Sequence, residues 1–442
     1  GHLLTISRAG RSAAGGVVAP GSLMGAVGVE RSGGATIPRP AGSIQGAVPV
    51  SKALLINPSY FGTYGSNEGG IAAPVYPVLS LAMLAGAARE RGHDAEILDL
   101  SYRPYDPDLI RATIQDRRPD IVAVTATTPL TNQLRDISHV VKNVSEDILV
   151  VGGGAHPTAL PSETMGQSRL DLLAQGEADF VIADLLDGKD PMSIQGLWSR
   201  DGGSVVPPAG VALFDDLDLL PLPAWDIYPP ESNRYISKLA ARQLPVTTVE
   251  FSRGCIYKCD FCGSKNTMGR GYRKKSPERC ADEMVRLAAL GFREAVVVDD
   301  IFTSDHEWAA AVCEAIIAKS PGIAWSCTNG IRADSADPEL FALMRRAGCF
   351  RVYLGLESGS EEVLRAFGKG GRATLDSAEL AVRQARAAGL EPNAFFLVGL
   401  TGDTSQTMQS TIDLARRLEL DTMKCGICVP FPGTQMFNTL QR

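Results

Sequence analysis

The chain has 442 residues, enough for two ordinary domains or for a barrel joined to a sheet domain, and 45% of them are hydrophobic, so a sizeable core can form. A net charge of −7 with no long basic run argues against nucleic acid or an anionic membrane surface as partner, because both need concentrated positive charge. The most apolar runs are strand-length, short of a membrane-spanning helix, and all nine cysteines fall at or after Cys255; this suits a metal site in a reducing cytoplasm better than a secreted disulfide scaffold.

Residues 1–50 are rich in Gly, Ala, Ser and Pro, carry scattered arginines and a single acid, Glu30, and have no periodicity. Such a segment buries little surface and is read as a disordered tail. Over 51–187 short apolar runs alternate with helical spacing. Strands are predicted over 53–57, 95–98, 121–125, 148–151 and 171–174, and helices over 78–91, 107–117, 130–144 and 179–186. That alternation means βαβ units and a parallel sheet, whose ligands sit beyond the carboxyl ends of the strands.

Residues 188–245 are rich in Gly, Pro and Asp and read as a linker, with Pro221-Leu-Pro-Ala-Trp-Asp226 as a packed crossing between domains. A second alternating series fills 246–442. Its predicted strands are 247–251, 294–298, 323–327, 351–356, 391–398 and 422–428. Its helices are 277–290, 304–319, 338–347, 361–366, 375–388 and 405–418. Six repeats without a seventh or eighth predict a partial (β/α)6 barrel. The overall fold class is α/β: a Rossmann-like parallel-sheet domain followed by that barrel.

The densest chemical signal is Cys255-Ile-Tyr-Lys-Cys259-Asp-Phe-Cys262, just after the first barrel strand. Iron–sulfur cubanes usually take four protein thiolates. Three leave one iron open, which is what a site needs to bind and transform a ligand. A zinc site completed by Cys425 and Cys428 is the competing reading. The Cys-x3-Cys-x2-Cys loop, with aromatic Phe261 before its last cysteine, resembles the signature of the radical S-adenosylmethionine (SAM) superfamily. The resemblance implies that Cys255, Cys259 and Cys262 hold a four-iron four-sulfur cluster, that SAM binds at the open iron, and that its reductive cleavage yields a 5′-deoxyadenosyl radical. It places Phe261 near the adenine. Further segments fit, one per strand end: Asp299 and Asp300 after the second barrel strand, Asn329 after the third, Glu357 and Ser358 after the fourth, and Val398 at the fifth. The resemblance implies that these surround SAM.

The sheet domain before such a core resembles the cobalamin-dependent branch of the superfamily. Supporting segments are Pro74-Val-Tyr-Pro77, Arg89-Glu-Arg-Gly-His93 and Gly152-Gly-Gly-Ala-His-Pro-Thr158. Gly152, Gly153 and Gly154 allow a loop to approach a flat macrocycle. Thr125, Thr127 and Thr128 offer hydroxyls to its amide fringe. No Asp-x-His-x-x-Gly loop follows the first strand, so the resemblance leaves the lower face of cobalt open, with His156 the histidine nearest the expected pocket and read chiefly as a packed loop residue.

Taken together the resemblance implies a methyltransferase acting on an unactivated carbon, with cobalamin carrying the methyl group and a flavodoxin- or ferredoxin-type donor supplying electrons. The substrate is expected to be a small molecule or natural product. The alternatives are a cobalamin-dependent radical cyclase or rearrangement enzyme, and a non-catalytic cobalamin- or metal-binding module. A methylthiotransferase would need cysteines in the first domain, and none precedes Cys255. The chain runs only a little past Pro430-Phe-Pro-Gly-Thr434, a motif that resembles the close of the core, so a C-terminal domain is expected to be short or missing.

Overall fold

The structure is a computed structural model that describes residues 4–7, 51–61, 63, 76–233, 236, 240–369 and 373–441. The expectation for the tail over 8–50, and the part of the Pro74-to-Pro77 segment up to residue 75, lie outside the described residues. The tail reading is corrected at four positions. Leu4–Ser7 forms a strand, β1, with the alternating apolar and β-branched pattern that fits a sheet edge.

The first sheet is built from β2 (Lys52–Asn57), β3 (Asp94–Asp99), β4 (Ile121–Thr125), β5 (Leu149–Gly153), β6 (Leu172–Ala174), β7 (Leu197–Asp201) and β8 (Ser204–Val206), in the order β3-β2-β4-β5-β6-β7-β8. Pairing is parallel from β3 to β6 and antiparallel at β6–β7 and β7–β8. The last two strands correct the linker reading of 188–245. They are short and set among glycines and prolines, so their alternation has little room to show.

Local chemistry explains the element ends. Helix Pro107–Arg117 starts where Asp106 accepts from the Asp108 and Leu109 amides and Pro107 supplies a preset φ; it stops at Arg118, in the left-handed region. Helix Leu79–Glu90 has buried alanines along much of its length, which lets it lie close to its neighbours. It meets the crossing segment directly, because the Ala224 amide donates to the Ala82 carbonyl at 2.8 Å. Trp225 is buried beside Phe292 of the second half, with ring centroids 6.4 Å apart.

The second half holds β9 (Val246–Val249), the small antiparallel pair β10 (Ser252–Arg253) and β11 (Arg273–Lys274), then β12 (Glu294–Val297), β13 (Ala324–Arg332), β14 (Cys349–Glu357), β15 (Glu391–Val398) and β16 (Thr422–Ile427). Six strands run parallel in chain order from β9 to β16, and β1 adds antiparallel to β16. The sheet therefore has two ends, β9 and β1, as a partial barrel requires. Helices such as Pro277–Ala289 and His306–Lys319 cover its outer face. One apolar core is continuous across both halves, from Leu81 and Ala85 through Trp225 to Phe251, Trp325 and Phe341. Burying each such large side chain is worth about 1.5–3 kcal/mol. A second cluster, including Leu54, Val122, Leu134 and Ile137, fills the other face of the first sheet.

Candidate active site

Cys255, Cys259 and Cys262 lie on the loop between β10 and the short helix Ser264–Thr267, all three free and part-buried. The loop is tied down at several points. The Gly254 amide donates to the Asp300 carboxylate at 3.1 Å, and the Thr401 hydroxyl donates to Asp260 Oδ2 at 2.7 Å. The Asp260 amide donates to the Phe367 carbonyl, and the Asp260 carbonyl accepts from the Met436 amide, each at 3.0 Å. Gly254 has φ +86°, and a Cβ there would lie 2.2 Å from the Gly271 carbonyl oxygen, so the turn into the cysteine loop admits only glycine.

Burial pushes the three thiols up, Cys259 to about 11, while Lys369 and Arg332 pull Cys255 and Cys259 back toward the thiolate. Those two cations form a pair of supports that the sequence reading missed. Lys369 donates to the Gly355 carbonyl and to Glu357 Oε1, the latter at 3.0 Å. Arg332 lies over the Tyr257 ring at 3.9 Å, is paired with Asp334 at 2.7 Å and donates to the Lys369 carbonyl at 3.2 Å. Both lie at least 70 residues beyond the last of the three cysteines, so neither gives a local signal. Among the described residues no three His, Cys, Asp or Glu side chains close around the position of a single ion. A cubane is broader than one ion and takes each thiolate at a different corner. Three thiols on one short loop can serve three of its corners. Cys425 packs against the main core, whereas Cys428 packs with Cys259 and Phe261, its Sγ 3.6 Å from Met436 Sδ, so the two do not act as a pair.

The strand-end residues divide into two sets. Phe261 packs against Phe367 at 5.4 Å, in an apolar cluster with Val363, Leu364 and Leu400. Glu357 is held at φ +65°, a left-handed conformation that a non-glycine residue adopts only under constraint, at a register shift between β14 and β15. Asn329 is exposed and donates to the Val298 carbonyl, and Val398 is half-buried at the end of β15. These stand at the open end of the barrel with Asp300. Asp299 and Ser358 do not. Asp299 is buried and accepts from the Phe251 amide at 2.8 Å and the Ser252 hydroxyl at 2.6 Å. Burial holds its carboxyl up at about 7. Ser358 is buried beside Thr411 and accepts from the Ser360 amide. Both tie backbone together; their assignment to SAM is corrected on that ground.

An apolar cavity of about 340 Å³ opens beyond the carboxyl ends of β4, β5 and β6. Thr125 and Gly152 to Gly154 line it, with Ser80, Leu81 and Leu84 of the first helix. Gly154 has φ +105°, and a Cβ there would lie 2.6 Å from the Ala126 carbonyl oxygen, so the wall is necessarily bare. Thr128 and His156 are not on this wall. They face each other, Nδ1 to Oγ1 at 3.3 Å, and burial lowers the imidazole pKa. The cofactor contact assigned to them is corrected accordingly, and no histidine lines the cavity among the described residues.

The opposite side of the same cavity is made by Arg253, Thr267 and Met268 from the cysteine-bearing half. Arg253 is buried and forked onto Asp179, at 2.8 and 2.9 Å, with Glu250 at 2.7 Å and Glu177 at 3.3 Å. Arg273 binds Glu177 from the other side. This bidentate network joins the two halves two residues before Cys255. The sequence offered only the hint of an arginine abutting the cysteine loop.

Comparison with known proteins fits this geometry. The B12 binding domain family matches residues 71–186 and the Radical SAM superfamily matches residues 249–415. An uncharacterized methyltransferase of Pyrococcus horikoshii is 31% identical over 82% of this chain and 78% of its own length. The chain belongs to the cobalamin-dependent radical SAM enzymes. Its relatives also include the anaerobic magnesium-protoporphyrin IX monomethyl ester cyclase of Rubrivivax gelatinosus, 27% identical over 88% of this chain and 70% of that one. Among solved structures, the radical SAM methyltransferase TsrM of Kitasatospora setae superposes with a TM-score of 0.72 at 21% identity, covering 88% of this chain and 77% of that one; at this identity it bears on the fold.

The cofactors of this family are cobalamin, SAM and a four-iron four-sulfur cluster, and the residues present fit all three. The bare glycine strip beside an apolar cavity fits a macrocycle. The loop with three thiols and two flanking cations fits an anionic cluster with one open iron. No helix among the described residues is long and apolar enough to cross a membrane.

Proposed function

We propose that this enzyme methylates an unactivated carbon of a small molecule. When bound, the cluster supplies the electron that cleaves SAM and the corrin carries a methyl group. The carrying observation is that the corrin cavity and the cysteine loop share a wall: Arg253 lines the cavity and stands two residues from Cys255. A polar methyl transfer to a nucleophile would need no radical generator at that wall. In the reading advanced here, Glu357, Asn329 and Asp300 hold the polar end of SAM, Phe261 and Val398 its adenine, and Lys369 positions Glu357. Thr125 and Gly152 to Gly154 seat the corrin. The Arg253 network fixes the distance between the two sites, which orientation-dependent chemistry demands.

The overall balance is definite. The substrate hydrogen leaves in 5′-deoxyadenosine, the new methyl comes from a second SAM, and two electrons enter from an external donor of flavodoxin or ferredoxin type. The products are methylated substrate, methionine, 5′-deoxyadenosine and S-adenosylhomocysteine. Anaerobic incubation with reductant, cobalamin, methyl-labelled SAM and a candidate substrate tests this. One 5′-deoxyadenosine and one S-adenosylhomocysteine are expected per methylated product. A product without the label, formed in step with 5′-deoxyadenosine, favours the cyclase chemistry named for the Rubrivivax relative. Methylation without 5′-deoxyadenosine removes the radical step.

A further inference from the structure

We propose that the barrel lumen carries a receptor for an oxyanion of the substrate, built on Lys424. Strand alternation fixes the direction. Val352, Leu354, Ala394 and Phe396 pack in the helix-side core, so Tyr353 and Phe395 face the lumen. Lys424 is the register partner of Phe395, and its ammonium sits over the rings of Phe395 and Tyr353 at 5.6 and 4.9 Å. Phe395 pairs with Gly355, where a Cβ would lie 2.9 Å from Glu357 Oε1, so the Glu357 carboxylate is on the same side of the sheet.

The other cations around this space have counter-charges. Arg351 is paired with Glu391 at 2.8 Å, and Lys369 with Glu357 at 3.0 Å. Lys424 makes no ion pair among the described residues, and burial, with Arg351 near, pushes its ammonium down to about 8. Beneath it, Asn393 is fully buried, with the Tyr353 hydroxyl within hydrogen-bond reach. The buried Ser326 hydroxyl, on β13, has no partner among the described residues. A part-buried cation without a counter-charge is costly unless something completes it. A methionine would fill the ring contacts at lower cost. The completing group is a carboxylate or a phosphoryl oxygen, and the half-buried Phe395 ring, stacked 5.0 Å from buried Tyr353, offers a flat apolar surface for the body that carries it. The inference rests on the proposed function in taking the lumen as the substrate site.

The test is binding by the reconstituted enzyme with cobalamin and SAM present, measured calorimetrically with benzoate, phenyl phosphate and neutral benzamide. One of the two anions is expected to bind, which separates carboxylate from phosphoryl recognition. Lys424→Met should weaken it about tenfold or more, Lys424→Arg much less, and benzamide should not distinguish the variants. Binding of neither anion, or equal anion binding by Lys424→Met, overturns the proposal. Should Lys424→Met lose its cobalamin or iron, the unmodified enzyme decides. Acylation of Lys424, mapped by peptide mass spectrometry, must be slowed by the binding anion and unaffected by benzamide, and absence of protection is equally fatal. These readouts need no turnover, so they stand or fall apart from the methyl-transfer stoichiometry.

Discussion

Replacing Arg253 by Met is expected to weaken the join between the two halves and the corrin site together. The guanidinium is the shared cation of Asp179, Glu250 and Glu177, all at least nine-tenths buried. Glu177 would keep Arg273, but Asp179 and Glu250 would lose their nearest cation. Removing one partner of a buried ion pair costs about 3–5 kcal/mol, because the remaining charge is left uncompensated. A two-domain chain need not unfold in one step, so a single midpoint is a poor reporter. Limited proteolysis in urea and hydroxocobalamin titration report the join and the cavity separately. Both should suffer, with affinity falling on the order of a hundredfold if about 3 kcal/mol is spent before binding. Adding Asp179→Asn and Glu250→Gln should recover much of the loss, since it removes the stranded charges. The defect should also narrow as pH falls. Burial already raises the Glu250 carboxyl, Arg253 opposes that shift, and without Arg253 it takes up a proton more readily. Unchanged proteolysis and cobalamin affinity in Arg253→Met would refute the reasoning.

Four further outcomes follow from the same geometry. The anaerobically reconstituted enzyme should carry about four irons per chain by iron and sulfide assay, and Cys255→Ala, Cys259→Ala and Cys262→Ala combined should remove them. Gly154→Ala should cost about 1–3 kcal/mol of stability and weaken cobalamin binding, measured by thermal melts and titration, because its φ is +105° and its Cβ would meet the Ala126 backbone. His156→Ala should leave the spectrum of bound cobalamin unchanged; appearance or loss of a nitrogen hyperfine coupling in the cobalt(II) form would show imidazole ligation. Asp299 has a folded pKa raised to about 7, so its ionisation opposes folding. Its contribution to stability should decline as pH rises through that value, and Asp299→Asn should flatten the slope in urea titrations run across pH.

Much of the architecture was legible because periodicity survives in long elements. The helix over 107–117 and the strands over 121–125 and 391–398 have the bounds that spacing predicts. Legibility failed where the deciding partner is distant in sequence. Arg253 and Asp179 are 74 residues apart, and Arg273 and Glu177 are 96 apart. Lys369 announces nothing beside its glycine. β13 runs on to Arg332, farther than predicted, because a residue such as Asn329 looks like a turn former when read alone. His156 sits in the right motif and faces Thr128 rather than the cavity.

The neighbours Asp299 and Asp300 show why a motif can be right while its residues take different tasks. Adjacent positions leaving a strand point to opposite sides. Asp299 turns inward and fixes Phe251 and Ser252; Asp300 turns toward the open end and receives the Gly254 amide. One short strand end thus holds the entry to the cysteine loop at two points, while Thr401, Phe367 and Met436 hold its middle at Asp260. The contacts come from β12, the helix Glu361–Ala366, the turn after β15 and the helix Gln435–Leu440. Four separate elements thus anchor the loop through the protein's own contacts. Burial pushes its thiols up, and Lys369 and Arg332 draw Cys255 and Cys259 back toward thiolate from that same wall.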